Sequence, residues 1–132
     1  MSESDKKGLI LRLAEFFNPF HNKQQRMMAE ATEELRLQAP CMTVVNLLEM
    51  PGVVKVSGER LVIQPCLGRP TSLNLGDIAG VKSSRLFNGT IRKVQFQHGF
   101  WIHGGPGWRL GFAVSDAAPW RALFEENGIP IS

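Results

Sequence analysis

GVVKVSGERLVIQPCLGRPTSLNLGDIAGV, residues 52–81, is the stretch whose reading decides the fold. Val53 to Val56 makes a short strand, Ser57-Gly58-Glu59 makes a hairpin loop, and Leu61 to Gln64 returns and ends at Pro65. Side chains alternate across a strand, so Val54, Val56, Leu61 and Ile63 turn inward while Lys55 stays outside. Cys66 to Pro70 reads as a loop. Ser72 to Leu75 then alternates again with Leu73 and Leu75 inward, and Gly76-Asp77 re-aims the chain into a strand from Ile78 to Lys82.

The same alternation continues toward the C-terminus. Val94, Phe96, Phe100 and Ile102 share the inward parity, and Gln95, Gln97, Trp101 and His103 share the other. Gly104-Gly105-Pro106-Gly107 is a loop, after which Trp108, Leu110, Phe112 and Val114 repeat the pattern. This places Trp108 in the core and Trp101 on the outer face, where it is expected to cover a neighbouring strand or the N-terminal helices. Upstream, Thr43 to Leu48 is a candidate strand that Met50-Pro51-Gly52 turns. About seven short strands at this spacing predict a sandwich or a partly closed barrel. A helix closes the chain. Ser115 or Asp116 caps it, Pro119 sits in its first turn, Trp120, Leu123 and Phe124 form its apolar face, and Gly128 ends it.

The first forty residues read differently. Leu9, Leu13, Phe16, Phe17 and Phe20 fall at helical spacing between Ser4 and Phe20. A second helix is predicted from Asn22 to Ala39, with Met27, Ala31 and Leu35 as its apolar stripe and Pro40 as its stop. The expected organisation is an N-terminal helical attachment over residues 1–40 and a barrel with its C-terminal helix over 41–132. The large apolar face of the first helix predicts that the attachment docks on the barrel.

A chain of 132 residues, 43% apolar and 20% charged, has the composition of one soluble globular domain. Its longest apolar run is too short to span a bilayer, and MSESDKKG lacks the pattern of a secretory signal, so a cytoplasmic location, with peripheral membrane attachment, is expected. Cys41 and Cys66 make no disulfide framework and read as reduced, packed thiols. His98 and His103, five apart, would point to opposite faces of one strand and could not share a metal. The glycine-rich loop at 104–107 lacks the lysine and helix start of a phosphate loop. Neither paired carboxylates nor a nucleophile with its base can be assembled. No catalytic residue, metal or cofactor is therefore assigned.

Charge is the remaining signal. Residues 1–50 hold six Lys/Arg against seven Asp/Glu, whereas residues 51–116 hold eight against three. The eight are Lys55, Arg60, Arg69, Lys82, Arg85, Arg92, Lys93 and Arg109. A basic sheet beside near-neutral helices points to an anionic partner.

The order of elements, short antiparallel strands followed by one helix carrying a Trp on its apolar face, resembles the pleckstrin-homology superfold over roughly residues 43–128. Within it, GVVKVSGERLVIQP followed by PTSLNLGDIAGV is similar to the GRAM branch. It resembles in particular the segments preceding BEACH domains in the factor associated with neutral sphingomyelinase activation and its relatives. No BEACH domain lies in these residues, so the kinship implies a fragment or a stand-alone relative. The resemblance implies an α+β, mainly β fold: a partly open barrel of about seven antiparallel strands plugged by the C-terminal helix, here preceded by two N-terminal helices. It also implies a non-catalytic binding or adaptor module acting in lipid binding or protein–protein interaction. Phosphoinositide-binding members carry a Lys and then a Lys/Arg-x-Arg pair across their first hairpin. The corresponding hairpin here offers only Lys55 and Arg60, with Glu59 beside them, which speaks against tight inositol-phosphate binding. The expected ligand surface is basic, formed by Lys55, Arg60, Arg92, Lys93 and Arg109, and faces an anionic phospholipid surface or a protein partner. The alternatives are a small β-barrel that stacks single-stranded nucleic acid on aromatics between its basic residues, and a small enzyme.

Overall fold

The hairpin at Ser57-Gly58-Glu59 forms as the alternation requires. β2 (Leu48–Ser57) and β3 (Arg60–Pro65) pair antiparallel from Gly52↔Pro65 to Ser57↔Arg60. Gly58 adopts φ 58°, a left-handed conformation open to glycine at little cost. Val54, Val56, Leu61 and Ile63 are fully buried. This computed structural model describes residues 20–30, 34–46, 48–84, 86–87, 90–91, 98–104 and 109–132. The predicted helix before Phe20, together with Arg85, Arg92, Lys93, Val94, Phe96 and Trp108, lies outside them.

Five further strands complete the sheet: β1 (Leu35–Val45), β4 (Thr71–Asn74), β5 (Gly80–Ser84), β8 (His98–His103) and β9 (Leu110–Val114). A separate two-stranded hairpin, β6 (Leu86–Phe87) with β7 (Thr90–Ile91), lies between β5 and β8 in sequence. The seven strands run in the order β4-β3-β2-β1-β9-β8-β5, every pair antiparallel. They curl into a half-barrel whose concave face holds the core. The C-terminal helix α2 (Ala118–Glu126) closes that face with Trp120, Leu123 and Phe124, all buried. Its rings meet those of the sheet: Trp120 lies edge-on to Phe112 at 5.1 Å and Phe124 edge-on to Phe100 at 5.6 Å between centroids.

The predicted C-terminal end of α2 holds, whereas the N-cap is Ala117, not Ser115 or Asp116, and carries no side-chain cap bond. Asp116 Oδ1 accepts the Ala118 N–H at 3.2 Å, and Gly128 at φ 68° lets Ile129 N–H return to Phe124 O at 2.9 Å. The chain then runs along β5. Val81 N–H donates to Pro130 O, Ser132 N–H to Val81 O and Ser83 N–H to Ser132 O, each at 2.9 Å. This parallel strip occupies a sheet edge that would otherwise present unpaired backbone groups.

Two expectations are corrected. The second helix, α1, covers only His21–Ala29, and Leu35 to Pro40 belongs to β1. Leu35, Leu37 and Ala39 do repeat at period two, and pairing with β2 along the whole strand outweighs their helix propensity. Secondly, Met50-Pro51-Gly52 lies inside β2, and the reversal falls between the paired residues Val45 and Leu48, where Asn46 takes φ 59°. Pro40 and Pro51 fit because each sits where its strand is laddered on one side only. β9 joins β1 from Met42, and β3 joins β2 from Gly52. Trp101 points to the outer face as parity requires and covers neighbouring strands there, at 8% exposure and packed with Val44, Ala113 and Met42.

α1 is held by one side chain above all. Gln24 is 2% exposed, and its Nε2 donates to Cys41 O at 3.2 Å and to Gly52 O at 2.8 Å. Gln38 Nε2 donates to Met28 O at 3.1 Å, and Met27 Sδ lies 3.9 Å from Cys66 Sγ. Nine residues without a side-chain N-cap would not hold a helix in isolation. Gln24→Ala is expected to cost about 1–3 kcal/mol of docking free energy. In hydrogen exchange the amides of residues 21–29 should lose most of their protection while those of β2 and β3 keep theirs. Unchanged protection of α1 would show that Gln24 is not its anchor.

Candidate functional site

The sheet has two faces, and the inner one is filled. Phe100, Phe112, Trp120 and Phe124 stand at its centre, with Leu61, Ile63 and Leu75 also fully buried. The outer face and the loops therefore carry whatever this domain presents to others.

Lys55 and Arg60 meet there. Lys55 pairs with Val62 and Ser57 with Arg60, which sets Lys55 and Arg60 as diagonal neighbours on the outer face. Arg36 of β1 joins them, donating Nη1 to Gly58 O at 2.9 Å. This cluster is offset by acid from distant parts of the chain. Arg36 lies 3.5 Å from Glu126 of α2, and Glu59 sits in the hairpin itself. An exposed pair such as Arg36–Glu126 adds little stability but does cancel charge.

Arg109 lies elsewhere. Asn46 N–H donates to Arg109 O, which puts Arg109 at the turn between β1 and β2. Lys55 is opposite Gln38 and Leu110 opposite Val45, so about 25 Å of strand separates Lys55 from Arg109. The structure thus divides the expected basic surface, with Arg92 and Lys93 outside the described residues. The hairpin carrying Lys55 and Arg60 is also the second of the sheet, since the first is the turn at Asn46.

The Arg109 guanidinium stacks over the Trp101 ring at 4.0 Å. Lys82, exposed on β5, pairs across with Trp101, which extends a cation–aromatic–cation row over three strands. Sequence parity found the outward direction of Trp101, and its cover is supplied by neighbouring strands. His98 and His103 share the uninterrupted β8, half-buried and exposed respectively and on opposite faces. Among the described residues no three His, Cys, Asp or Glu side chains come close enough to hold a metal. Burial pushes the Cys41 thiol well up, and Cys66 adds to that shift. Burial also pushes Cys66 up, against the opposing pull of the Lys23 ammonium. Both cysteines are thus held as thiols, poor nucleophiles at neutral pH.

No protein family and no curated protein matches this sequence. Among solved structures it is similar to the C-terminal domain of an unknown protein from Leishmania infantum. The two share 16% identity with a TM-score of 0.52 over 84% of this chain and 97% of that one. Such a likeness bears on the fold alone. Among the described residues no helix is long and apolar enough to cross a membrane.

Proposed function

We propose that this chain is a non-catalytic binding module of the pleckstrin-homology/GRAM-like kind, recruited to an anionic membrane surface. The filled interior carries this reading: with aromatic side chains where a substrate would sit, the working surface is the outside. Kinship with that superfold draws support from the strand order and from the helix that closes the concave face. Lys55, Arg60 and Arg109 all lie outside, in reach of an anionic partner. Stacking of single-stranded nucleic acid has less support, because the large apolar side chains exposed among the described residues are Leu48 and Leu67, not aromatics.

Flotation of the full chain with phosphatidylserine-containing and pure phosphatidylcholine vesicles tests the reading, with single-stranded DNA as a third ligand. Each basic residue near an anionic surface contributes about 1 kcal/mol, so binding should be weak, specific to the anionic vesicles and lost as salt rises. Indifference to anionic vesicles at low salt would leave a protein partner as the better account. Preference for DNA would point to the nucleic-acid reading.

A further inference from the structure

α1 lies across the outer face of β2. Its Met27 Sδ meets Cys66 Sγ at 3.9 Å, and its Met28 O accepts Gln38 Nε2 at 3.1 Å. Cys66 sits beside Pro51, to whose carbonyl its N–H donates at 2.8 Å, and Gln38 lies opposite Lys55. Val53 stands between Pro51 and Lys55 on the same outward row, so the helix passes over it. That cover explains why Val53 is only 1% exposed although it is no part of the concave core.

Few contacts hold the helix in this seat. Gln24 caps the carbonyls of Cys41 and Gly52, and nine residues without a side-chain N-cap depend on docking to stay helical. The two sulfur atoms in contact differ in reactivity. Cys66 is 4% exposed and burial holds it as the thiol, whereas peroxides are attacked by the thiolate. Met27 is half-buried, and a thioether needs no ionisation to react. We propose that Met27 is a peroxide-sensitive latch, whose oxidation to the sulfoxide releases α1 from the sheet and bares Cys66 and Val53. One oxygen atom passes from hydrogen peroxide to the Met27 sulfur, which loses two electrons, and the peroxide is reduced to water. A polar S=O group then stands where a thioether packed against a thiol. Keeping its oxygen hydrated turns the side chain outward and breaks the contact with Cys66. Release of α1 in this way does not depend on which ligand the outer surface takes.

The test treats the full chain with hydrogen peroxide and follows the gain of one oxygen at Met27 by peptide mass spectrometry. As Met27 is oxidised, the amides of residues 21–29 should lose about tenfold in hydrogen-exchange protection, and maleimide labelling of Cys66 should quicken by about as much. The amides of β2 and β3 should keep their protection, and a methionine sulfoxide reductase should reverse both changes. Met27→Leu keeps an apolar side chain of similar size and cannot take up oxygen. It should hold α1 in place under the same treatment, even with Met28, Met42 and Met50, all half-buried, oxidised. Met27→Gln, polar from the outset, should show the released helix without peroxide. Full protection of α1 in protein oxidised at Met27 would overturn the proposal. So would an equal loss of protection in Met27→Leu, which would assign the effect to another methionine, or oxidation of Cys66 ahead of Met27 in the folded chain.

Discussion

Trp120→Ala is expected to lower the unfolding free energy by about 3–5 kcal/mol. Trp120 is the largest of the fully buried side chains, at 1% exposure, and sits where α2 meets the sheet. Its ring packs edge-on to Phe112 at 5.1 Å, and Phe112 in turn lies 5.5 Å from Phe100 and 6.4 Å from Phe124. Truncation removes the apolar contacts of the indole and leaves a cavity bounded by a helix and by β9, neither of which can close on it without breaking hydrogen bonds. A domain of this size is stable by about 5–15 kcal/mol in all, so the variant could fall close to the folding threshold. Urea unfolding measures the difference, with Phe124→Leu as a milder companion if Trp120→Ala does not fold. A loss below about 1 kcal/mol for both would show that α2 does not close the concave face.

Gly52→Ala should cost about 3 kcal/mol, although only one methyl group is added. A Cβ at this position would run into the Gln64 carbonyl oxygen and lie 2.8 Å from both Pro65 Cα and Thr43 Cγ2. These obstacles are largely the backbones of neighbouring strands, and they cannot rotate away. β2 would have to move from β3 at the pair Gly52↔Pro65, and the carbonyl that receives Gln24 Nε2 would move with it. Loss of α1 docking is therefore expected together with the loss of stability. Gly58→Ala is the control: nothing lies within 4 Å of its Cβ, and its left-handed backbone should cost roughly 1–2 kcal/mol. Comparison of urea midpoints, with hydrogen exchange over residues 21–29, distinguishes them. A larger effect at Gly58 than at Gly52 would contradict the close approach of the strands.

The two glycines show how far local reading goes. Gly58 lies between two alternating runs, so its role as a turn is written in its neighbours. Gly52 follows Met50 and Pro51 and looks equally like a turn, but it is a mid-strand residue whose need for a hydrogen side chain comes from Gln64 and Thr43, remote along the chain. Leu35 to Ala39 is a similar case. Its residues suit a helix locally, and the strand β2 that recruits them lies some distance downstream. Trp101 was placed on the correct face by parity, whereas its burial depends on Val44, Ala113 and Arg109 converging over it.

For the candidate site the division follows range. Sequence by itself determined the antiparallel strands around the Ser57-Gly58-Glu59 hairpin, the inward rows from Val54 to Ile63, from Phe100 to Ile102 and from Leu110 to Val114, and the C-terminal helix with its glycine end. Each of these depends on periodicity and turn chemistry within a few residues. Tertiary structure alone decided which basic residues act together. Charge counted along the chain grouped Lys55, Arg60 and Arg109, but antiparallel pairing set Arg109 at the opposite end of β1 and folded Glu126 back onto Arg36. Electrostatic and apolar surfaces are sums over neighbours in space, and in a sheet those neighbours are set by register between distant segments.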